Sequence, residues 1–325
     1  MAAPRLAAAA SARRALVPVP TLSVALSKGQ CGRVAVVGGC EEYSGAPYFS
    51  AMAALKMGAD LSHVVCDANA GTVIKSYSPE LIVHPYLRTT DSAITATGHP
   101  PVSEDAIVAR CAALLPKFHC LVVGPGMGRS PLMLSTVVRV IGAARDAQLP
   151  MVLDADALYL LCQGTNLSLV RGYPLAVVTP NATEYPYLCK AAGIAVTSSA
   201  RELADALGVA VIRKGSTDQI AGVIAAGSEQ QQQRDVECDE PSGLRRFGGQ
   251  GDVLTGVLST LIAWSRLGRP ELTALDPAVL ELGCRVTRGA SHRAYTLHAR
   301  GTTTGHVLEA LPHAFEDVFG PEVPN

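Results

Sequence analysis

The sequence predicts an α/β fold, a doubly wound, mostly parallel central sheet flanked by helices on both faces. Three observations lead there. From Gly32 onward, short β-branched runs alternate with helical patterns, the mark of βαβ units. Hydrophobic residues make up 48% of the chain against 17% charged, as strands covered on both faces require. No linker, composition break or internal repeat in the 325 residues calls for a second domain, so residues 26–325 are read as one.

The elements follow in order. Arg33 to Gly39 is a buried strand ending in glycines, Pro47 to Gly58 a helix stopped by glycine, and Leu61 to Cys66 the next strand. Cys120 to Val123 is a third strand, running into Gly124-Pro125-Gly126-Met127-Gly128 and a helix from Pro131 to about Ala147. Met151 to Asp154, Ala176 to Thr179 and Val209 to Arg213 complete the parallel set. Gln219 to Ala225 reads as one arm of an antiparallel pair, and Gly227 to Asp239, with its Gln230 to Gln233 tract, as an exposed loop. Two long helices, Asp252 to Trp264 and Pro277 to Arg300, then Thr302-Thr303-Thr304 and a short helix finish the chain. The five Phe are too few to form a stripe, and the single Trp264 is expected in the core.

Charge and cysteine usage narrow the function. A net charge of −1 leaves no general affinity for nucleic acid, which requires clustered Lys and Arg. No apolar run is long enough to span a membrane, so the protein is expected to be soluble. The nine cysteines are scattered without a Cys-x-x-Cys pair and read as reduced core residues, and the eight histidines show no metal-ligand spacing. Residues 1–25 carry three arginines and no acid, the composition of a mitochondrial or plastid transit peptide. A disordered Ala-rich tail fits them equally well. Either way they are expected to stand outside the fold, and the location to be mitochondrial or cytoplasmic.

The most informative segment is Arg245-Arg246-Phe247-Gly248-Gly249-Gln250-Gly251-Asp252, which runs straight into an apolar helix. Its glycines let backbone N–H groups approach an anion at the positive end of a helix dipole. Asp252 would repel phosphate, but is well placed to take a proton from an attacking hydroxyl, a pairing that points to phosphoryl transfer to an alcohol. Helix capping by Asp252 is the other reading.

Ligands of open α/β sheets sit at the carboxyl ends of strands, so the remaining candidates follow strands. Gly124 to Arg129 fails the Gly-x-Gly-x-x-Gly pattern, and no Gly-x4-Gly-Lys-Ser/Thr occurs, so neither a dinucleotide-fold fingerprint nor a P-loop is present. Asp154 and Asp156 could hold Mg²⁺ through water or cap a helix. Asn181 with Glu184 could be a capping box. Lys214 could serve a nucleotide phosphate or be a solvated surface charge.

These motifs, in this order, identify the resemblance. From about Ser27 to Leu308 the chain resembles the ATP-dependent (S)-NAD(P)H-hydrate dehydratases, a branch of the ribokinase-like superfamily. The likeness is carried by Lys28-Gly29-Gln30 with Gly32-Arg33, Val37-Gly38-Gly39, Tyr43-x-Gly45-Ala46-Pro47-Tyr48-Phe49, Ser78-Pro79-Glu80-Leu81, Gly124-Pro125-Gly126 and Asp154-Ala155-Asp156. It continues through Thr179-Pro180-Asn181-x-x-Glu184, Lys214-Gly215, the Arg245 to Asp252 loop and Thr302-Thr303-Thr304. The resemblance implies repair of the hydrated dinucleotides NADHX and NADPHX. ATP phosphorylates the C6 hydroxyl of the damaged ring, with Mg²⁺ as cofactor, and loss of phosphate restores NADH or NADPH. It also implies a homo-oligomer.

On that basis Asp252 is the catalytic base. ATP contacts are carried over to Lys214, Gly215, Ser216, Thr217, Asp218, Arg245, Arg246, Phe247, Gly248, Gly249, Gln250 and Gly251. Substrate contacts are carried over to Gly126, Asn181, Ala182, Thr183, Glu184, Tyr185, Pro186, Tyr187 and Asp252. The family's bacterial members use ADP and its eukaryotic members ATP. The arginine-bearing N-terminus and Tyr48-Phe49 look eukaryotic, so ATP is expected. Three positions depart from the family pattern: Ser27 stands for a common histidine, Phe247 for a small residue in the anion loop, and His306 for an acid. Two alternatives compete. A ribokinase-like kinase of a small alcohol would leave a stable phosphorylated product, and a silent scaffold would be indifferent to Asp252→Asn.

Overall fold

The computed structural model describes residues 2–91, 102–223 and 235–321. One nine-stranded sheet organises them in the order β3-β2-β1-β4-β5-β6-β7-β8-β9. Strands β1 (Arg33–Val37), β2 (Leu61–Asp67), β3 (Ile82–Leu87), β4 (Cys120–Val123), β5 (Met151–Leu153), β6 (Ala176–Val178) and β7 (Ala210–Arg213) are parallel. β8 (Asp218–Ala221) and β9 (Val236–Cys238) run antiparallel at one edge. The connecting helices, in chain order, are α1 (Ala2–Leu16), α2 (Gly45–Met57), α3 (Ala68–Tyr77), α4 (Glu104–Ala112), α5 (Pro131–Asp146), α6 (Asp156–Leu161), α7 (Tyr185–Ala192) and α8 (Ala200–Leu207). Three long helices close the fold, α9 (Gln250–Gly268), α10 (Pro277–His298) and α11 (Thr304–Phe319).

The apolar strand runs explain the layering, because β1, β4, β5, β6 and β7 have almost every residue buried and so must be covered on both faces. α9 supplies much of one cover. Residues 253–265 are buried without exception, including the hydroxyls of Thr255, Ser259, Thr260 and Ser265. Each of these hydroxyls finds a backbone carbonyl within the helix. Gly256 lets α9 lie directly on α2, since a Cβ there would stand 2.1 Å from the Ser50 carbonyl. Trp264 is core, as expected, with its indole N–H donating to the Cys31 carbonyl at 2.8 Å. The cysteines are all free thiols, buried except for the half-buried Cys162.

Four expectations change. β3 went unrecognised because Pro85 interrupts it. Proline is excluded from central strands but tolerated at a sheet edge, where β3 lies. The stretch read as loop up to Asp239 contains β9, whose Cys238 is wholly buried against β8; Gln230 to Gln233 and the Ala225 end of the expected arm lie outside the described residues. The last helix is 16 residues long rather than short. Its start carries a capping box, with the Thr303 N–H donating to His306 Nδ1, so the histidine does the acceptor work of the family's acid. Finally, residues 1–25 do not stand wholly outside the fold. Val17 is fully buried, and Arg13 and Arg14 donate to the carbonyls of Val318 and Phe319 at 3.0 and 2.7 Å, tying α1 to the end of α11.

Candidate active site

The strand order reverses between β1 and β4, with β2 and β3 added on one side and β5 to β7 on the other, and the loops leaving the carboxyl ends of these parallel strands gather around that switch point. The loops after β1 and β4 are knitted by the Gly39 N–H, which lies 3.0 Å from the Pro125 carbonyl and 3.1 Å from that of Gly126. Gly124 is required here. Its φ is +121°, and a Cβ would stand 1.9 Å from the Asp154 carbonyl.

Two cavities open side by side over this edge. The first, of about 800 Å³, is lined by Arg246, Phe247 and Gly249 to Asp252 of the anion loop, by Asn181 to Glu184, by Lys214 to Ser216, and by Cys284, Thr287, Arg288 and Val307 from α10 and α11. The second, of about 750 Å³, lies over the switch point between the loops after β1 and β4, lined by Cys40 to Tyr43, Gly126, Gly128 to Ser130 and Asp156. Ala155 and Asp252 line both cavities. Ala155 also holds φ +50°, which alanine rarely adopts, and such strain collects at functional sites.

The anion loop behaves as its glycines demand. Gly249 is the N-cap of α9 at φ +99° and provides no side-chain cap. The first intrahelical donor bonded back is Val253, to the Gly249 carbonyl at 2.9 Å. The N–H groups of Gln250, Gly251 and Asp252 therefore have no partner within the helix, and the helix dipole adds to their positive end. Capping by Asp252 is not its role here, since it lies inside the first turn rather than before it. The loop is held from behind: Thr304 Oγ1 donates to the Gly248 carbonyl at 2.6 Å, and Arg245 donates to the Thr302 carbonyl.

A charged triad faces this loop. Lys214 Nζ lies 2.7 Å from Asp154 Oδ1, and a Cβ on Gly251 would stand 3.1 Å from Asp154 Oδ2 and 3.4 Å from Lys214 Nζ. Lys214 is thus neither lone nor solvated. Burial works against its ammonium, but Asp154, Glu184 and Asp252 outweigh it and hold the pKa above the usual lysine value. Asp252 is pushed up to about 7, first by burial and then by the Asp154 charge, with Lys214 pulling the other way. A carboxylate held near neutral pH is a far stronger base than an exposed aspartate. Burial and Asp154 raise Glu184 in the same sense.

The two aspartates of Asp154-Ala155-Asp156 prove to have different tasks. Asp156 makes no cap to α6; it accepts from the Gly128 N–H at 2.9 Å and from Arg129 Nε at 3.1 Å, fixing the turn after β4. Among the described residues no group of three or more His, Cys, Asp or Glu could hold a metal ion by itself. Asn181 and Glu184 form the reciprocal pair expected. The Asn181 side chain accepts from the Thr183 and Glu184 N–H groups, and Glu184 Oε2 accepts from the Asn181 N–H at 2.8 Å.

Of the residues singled out from the sequence, most converge. Asp252, Lys214, Gly215, Ser216, Asp218, Arg246, Phe247, Gly249, Gln250 and Gly251 line the first cavity with Asn181, Ala182, Thr183 and Glu184, while Gly126 lines the second. Six do not. Thr217, Arg245 and Gly248 support the walls without lining them. Tyr185 turns into the core, where its hydroxyl donates to the Ser198 carbonyl at 3.0 Å. Pro186 sits in the first turn of α7, and Tyr187 faces outward, 61% exposed. Sequence reasoning missed Arg288, because an arginine inside a long helix gives no local sign of the loops it will meet. The glycine-bounded loop from Gly38 to Pro47, a candidate by its place after β1, supplies Cys40 to Tyr43 to the second cavity, though sequence reasoning assigns them no role.

A family model described as NAD(P)H-hydrate dehydratase matches residues 34–313 of this chain. A Neurospora crassa protein named ATP-dependent (S)-NAD(P)H-hydrate dehydratase is 40% identical over 337 residues, covering 93% of this chain and 91% of that protein. The Homo sapiens protein of the same name is 39% identical over 311 residues, covering 93% and 82%. Among solved structures, an Enterococcus faecalis ribokinase-like superfamily protein superposes with TM-score 0.66 at 18% identity, covering 93% of each chain. A Bacillus subtilis ADP/ATP-dependent NAD(P)H-hydrate dehydratase co-crystallised with ATP and Mg²⁺ superposes with TM-score 0.63 at 18% identity, covering 91% of this chain and 93% of that one. At such identities the likeness shows the fold, which is ribokinase-like.

Proposed function

The chain belongs to the NAD(P)H-hydrate dehydratase family, and on that premise we propose that it repairs (S)-NADHX and (S)-NADPHX at the expense of ATP. The observation that carries this reading is the shared wall. Asp252 borders both cavities, so one carboxylate reaches a nucleotide on the anion-loop side and a hydroxyl on the switch-point side.

The proposed reaction has two parts. Asp252 takes the proton of the ring hydroxyl as its oxygen bonds to the γ-phosphorus of ATP, and ADP leaves. The N–H groups of Gln250 and Gly251 and the dipole of α9 stabilise charge on the transferring group, and Lys214 adds a full positive charge beside them. Phosphate is a far better leaving group than hydroxide. The carbon–oxygen bond then breaks, phosphate and a ring proton depart, and the reduced nicotinamide is restored. Leu254, Cys284 and Val307 give the first cavity an apolar wall of the kind an adenine needs.

Magnesium enters this scheme as MgATP. Mg²⁺ usually keeps several waters and takes one or two carboxylates besides the phosphates, a demand that Asp154, beside Gly251 and Lys214, can meet without a three-residue cage. We also propose a homo-oligomer and a mitochondrial or cytoplasmic location, to be checked by light scattering and by following a C-terminally tagged chain in cells. No helix among the described residues is long and apolar enough to cross a membrane.

The test of the activity is to mix the protein with NADHX, ATP and Mg²⁺ and follow both reduced nicotinamide and the fate of the phosphate. Recovery of NADH with ADP and free phosphate supports the dehydratase. A stable phosphorylated dinucleotide, or a stable phosphorylated small alcohol with no action on NADHX, would assign a kinase instead.

A further inference from the structure

The guanidinium of Arg288, in the middle of α10, joins two separate stretches, the segment at Glu240 and the turn from Gly215 to Asp218 that walls the first cavity. Nε donates to the Glu240 carbonyl at 2.5 Å, Nη1 donates to the Gly215 carbonyl at 3.3 Å and to Asp218 Oδ2 at 3.2 Å, and Nη2 donates to the Ser216 carbonyl. An arginine has five N–H donors, so four of them are committed to the protein itself. The side chain is 12% exposed and Asp218 9%, so this is an interior fork rather than a surface ion pair. Asp218 completes the figure by accepting from the Gly215 N–H at 2.9 Å through its other oxygen.

We propose that Arg288 is a positioning residue for the nucleotide, fixing the Lys214 to Asp218 turn so that the Lys214 ammonium stays aimed at the anion loop.

The argument rests on what the turn would do without it. Lys214 follows the last residue of β7, and its N–H donates to the Pro180 carbonyl at 2.9 Å, so the strand side of the turn is tied to the sheet. Gly215 and Ser216, next along, turn two carbonyls toward α10, and Arg288 is the cation that gathers both. Removing it leaves those carbonyls and Asp218 Oδ2 without this donor, so that only the Gly215 N–H bond to Asp218 Oδ1 still spans the turn that carries Lys214. A carbonyl cluster facing a triphosphate would repel it; with the guanidinium drawn in, the same wall is neutralised. Planar, forked donation is what the three acceptors require, and a lysine offers a point charge instead.

A neighbour supplies the control. Arg285, one turn earlier on α10, pairs with Glu240 at 2.6 Å and with Glu281 at 2.6 Å and lines neither cavity. It anchors the same Glu240 segment without touching the Lys214 turn.

The inference rests on the proposed ATP site, so its test separates binding from dehydration. Binding of MgATP is measured by calorimetry, KM for ATP and for NADHX and kcat by the recovery of NADH, and Tm by thermal unfolding, for wild type, R288M, R288K and R285M. We expect R288M to weaken MgATP binding and raise the ATP KM at least tenfold, with the NADHX KM within twofold and kcat reduced less than the ATP KM rises. R288K should recover little of the loss, and R285M should lower Tm with the ATP KM within twofold. Equal ATP effects from R288M and R285M would reduce Arg288 to a structural strut, and an unchanged ATP affinity in R288M would overturn the proposal. Should wild type bind MgATP without dehydrating NADHX, the dehydratase reading falls while the calorimetric comparison still decides the role of Arg288; a wild type that binds no MgATP would overturn both.

Discussion

Replacing Asp252 by asparagine should abolish turnover and, at pH 8, make the ligand-free protein more stable. Burial and the Asp154 charge push the Asp252 carboxyl from 3.8 to about 7. At 1.36 kcal/mol per pKa unit, holding it ionised inside the fold costs about 4 kcal/mol relative to the unfolded chain. The sign follows from the direction. A carboxyl whose folded pKa is raised contributes most to stability below its unfolded value near 4, and that contribution is lost as pH rises through about 7. Asparagine has nearly the same shape and buries no charge. D252N and wild type should therefore melt nearly alike at pH 4, and the variant should melt progressively higher as the pH is raised to 8. With an unfolding entropy of about 2.1 cal/mol/K per residue, about 4 kcal/mol over a chain of this length corresponds to roughly 6 °C. The assay is thermal unfolding of both proteins at the two pH values, with NADHX turnover and MgATP binding measured alongside. A variant that turns over at near the wild-type rate would sink the general-base assignment. One that melts no higher than wild type at pH 8 would refute the claim that Asp252 is strained by burial and by Asp154.

Further outcomes follow from the same geometry. The kcat/KM of wild type should rise with pH through about 7 as Asp252 ionises. D154N, which removes the charge that raises it, should move this limb to lower pH, and K214A, which removes the charge that lowers it, to higher pH; shifts in the same direction would disprove the triad electrostatics. K214A should also raise the ATP KM far more than the NADHX KM, and an effect confined to NADHX would place Lys214 on the wrong cavity. G124A should lose at least about 3 kcal/mol of stability in denaturant unfolding, because its Cβ meets the Asp154 carbonyl at 1.9 Å in a backbone conformation that alanine rarely adopts. F247A should raise the ATP KM about tenfold, the equivalent of about 1.4 kcal/mol of lost packing against the nucleotide wall; no change would show that Phe247 only packs against the core.

Much of the fold was legible because its signals are local. Runs such as Val34 to Val37 and Leu121 to Val123 are too apolar for anything but a doubly covered strand, and glycines punctuate their ends. The anion loop was legible for the same reason, since Gly249, Gln250 and Gly251 carry their function in the backbone. What escaped was tertiary. Pro85 hid β3 because whether proline is tolerated depends on which strand ends up at the edge. Asp154 and Lys214 could be singled out separately but not joined, because they leave different strands and meet only once the sheet is assembled. Tyr185 and Tyr187 sit in a motif that reaches the site, yet helix geometry turns one into the core and the other to solvent. Arginine-bearing residues 13 and 14 read as a targeting signal by composition, while in the fold they hold the end of α11.

The central claim is that one carboxylate between two cavities links phosphoryl transfer to dehydration. The most direct measurement is a single time course of wild-type protein with (S)-NADHX, ATP and Mg²⁺ in which NADH, ADP and free phosphate are quantified together. The account predicts one ADP and one phosphate for each NADH recovered, and none of the three from D252N. NADH recovered without ATP consumption, or ATP consumed with the phosphate retained on the dinucleotide, would contradict it.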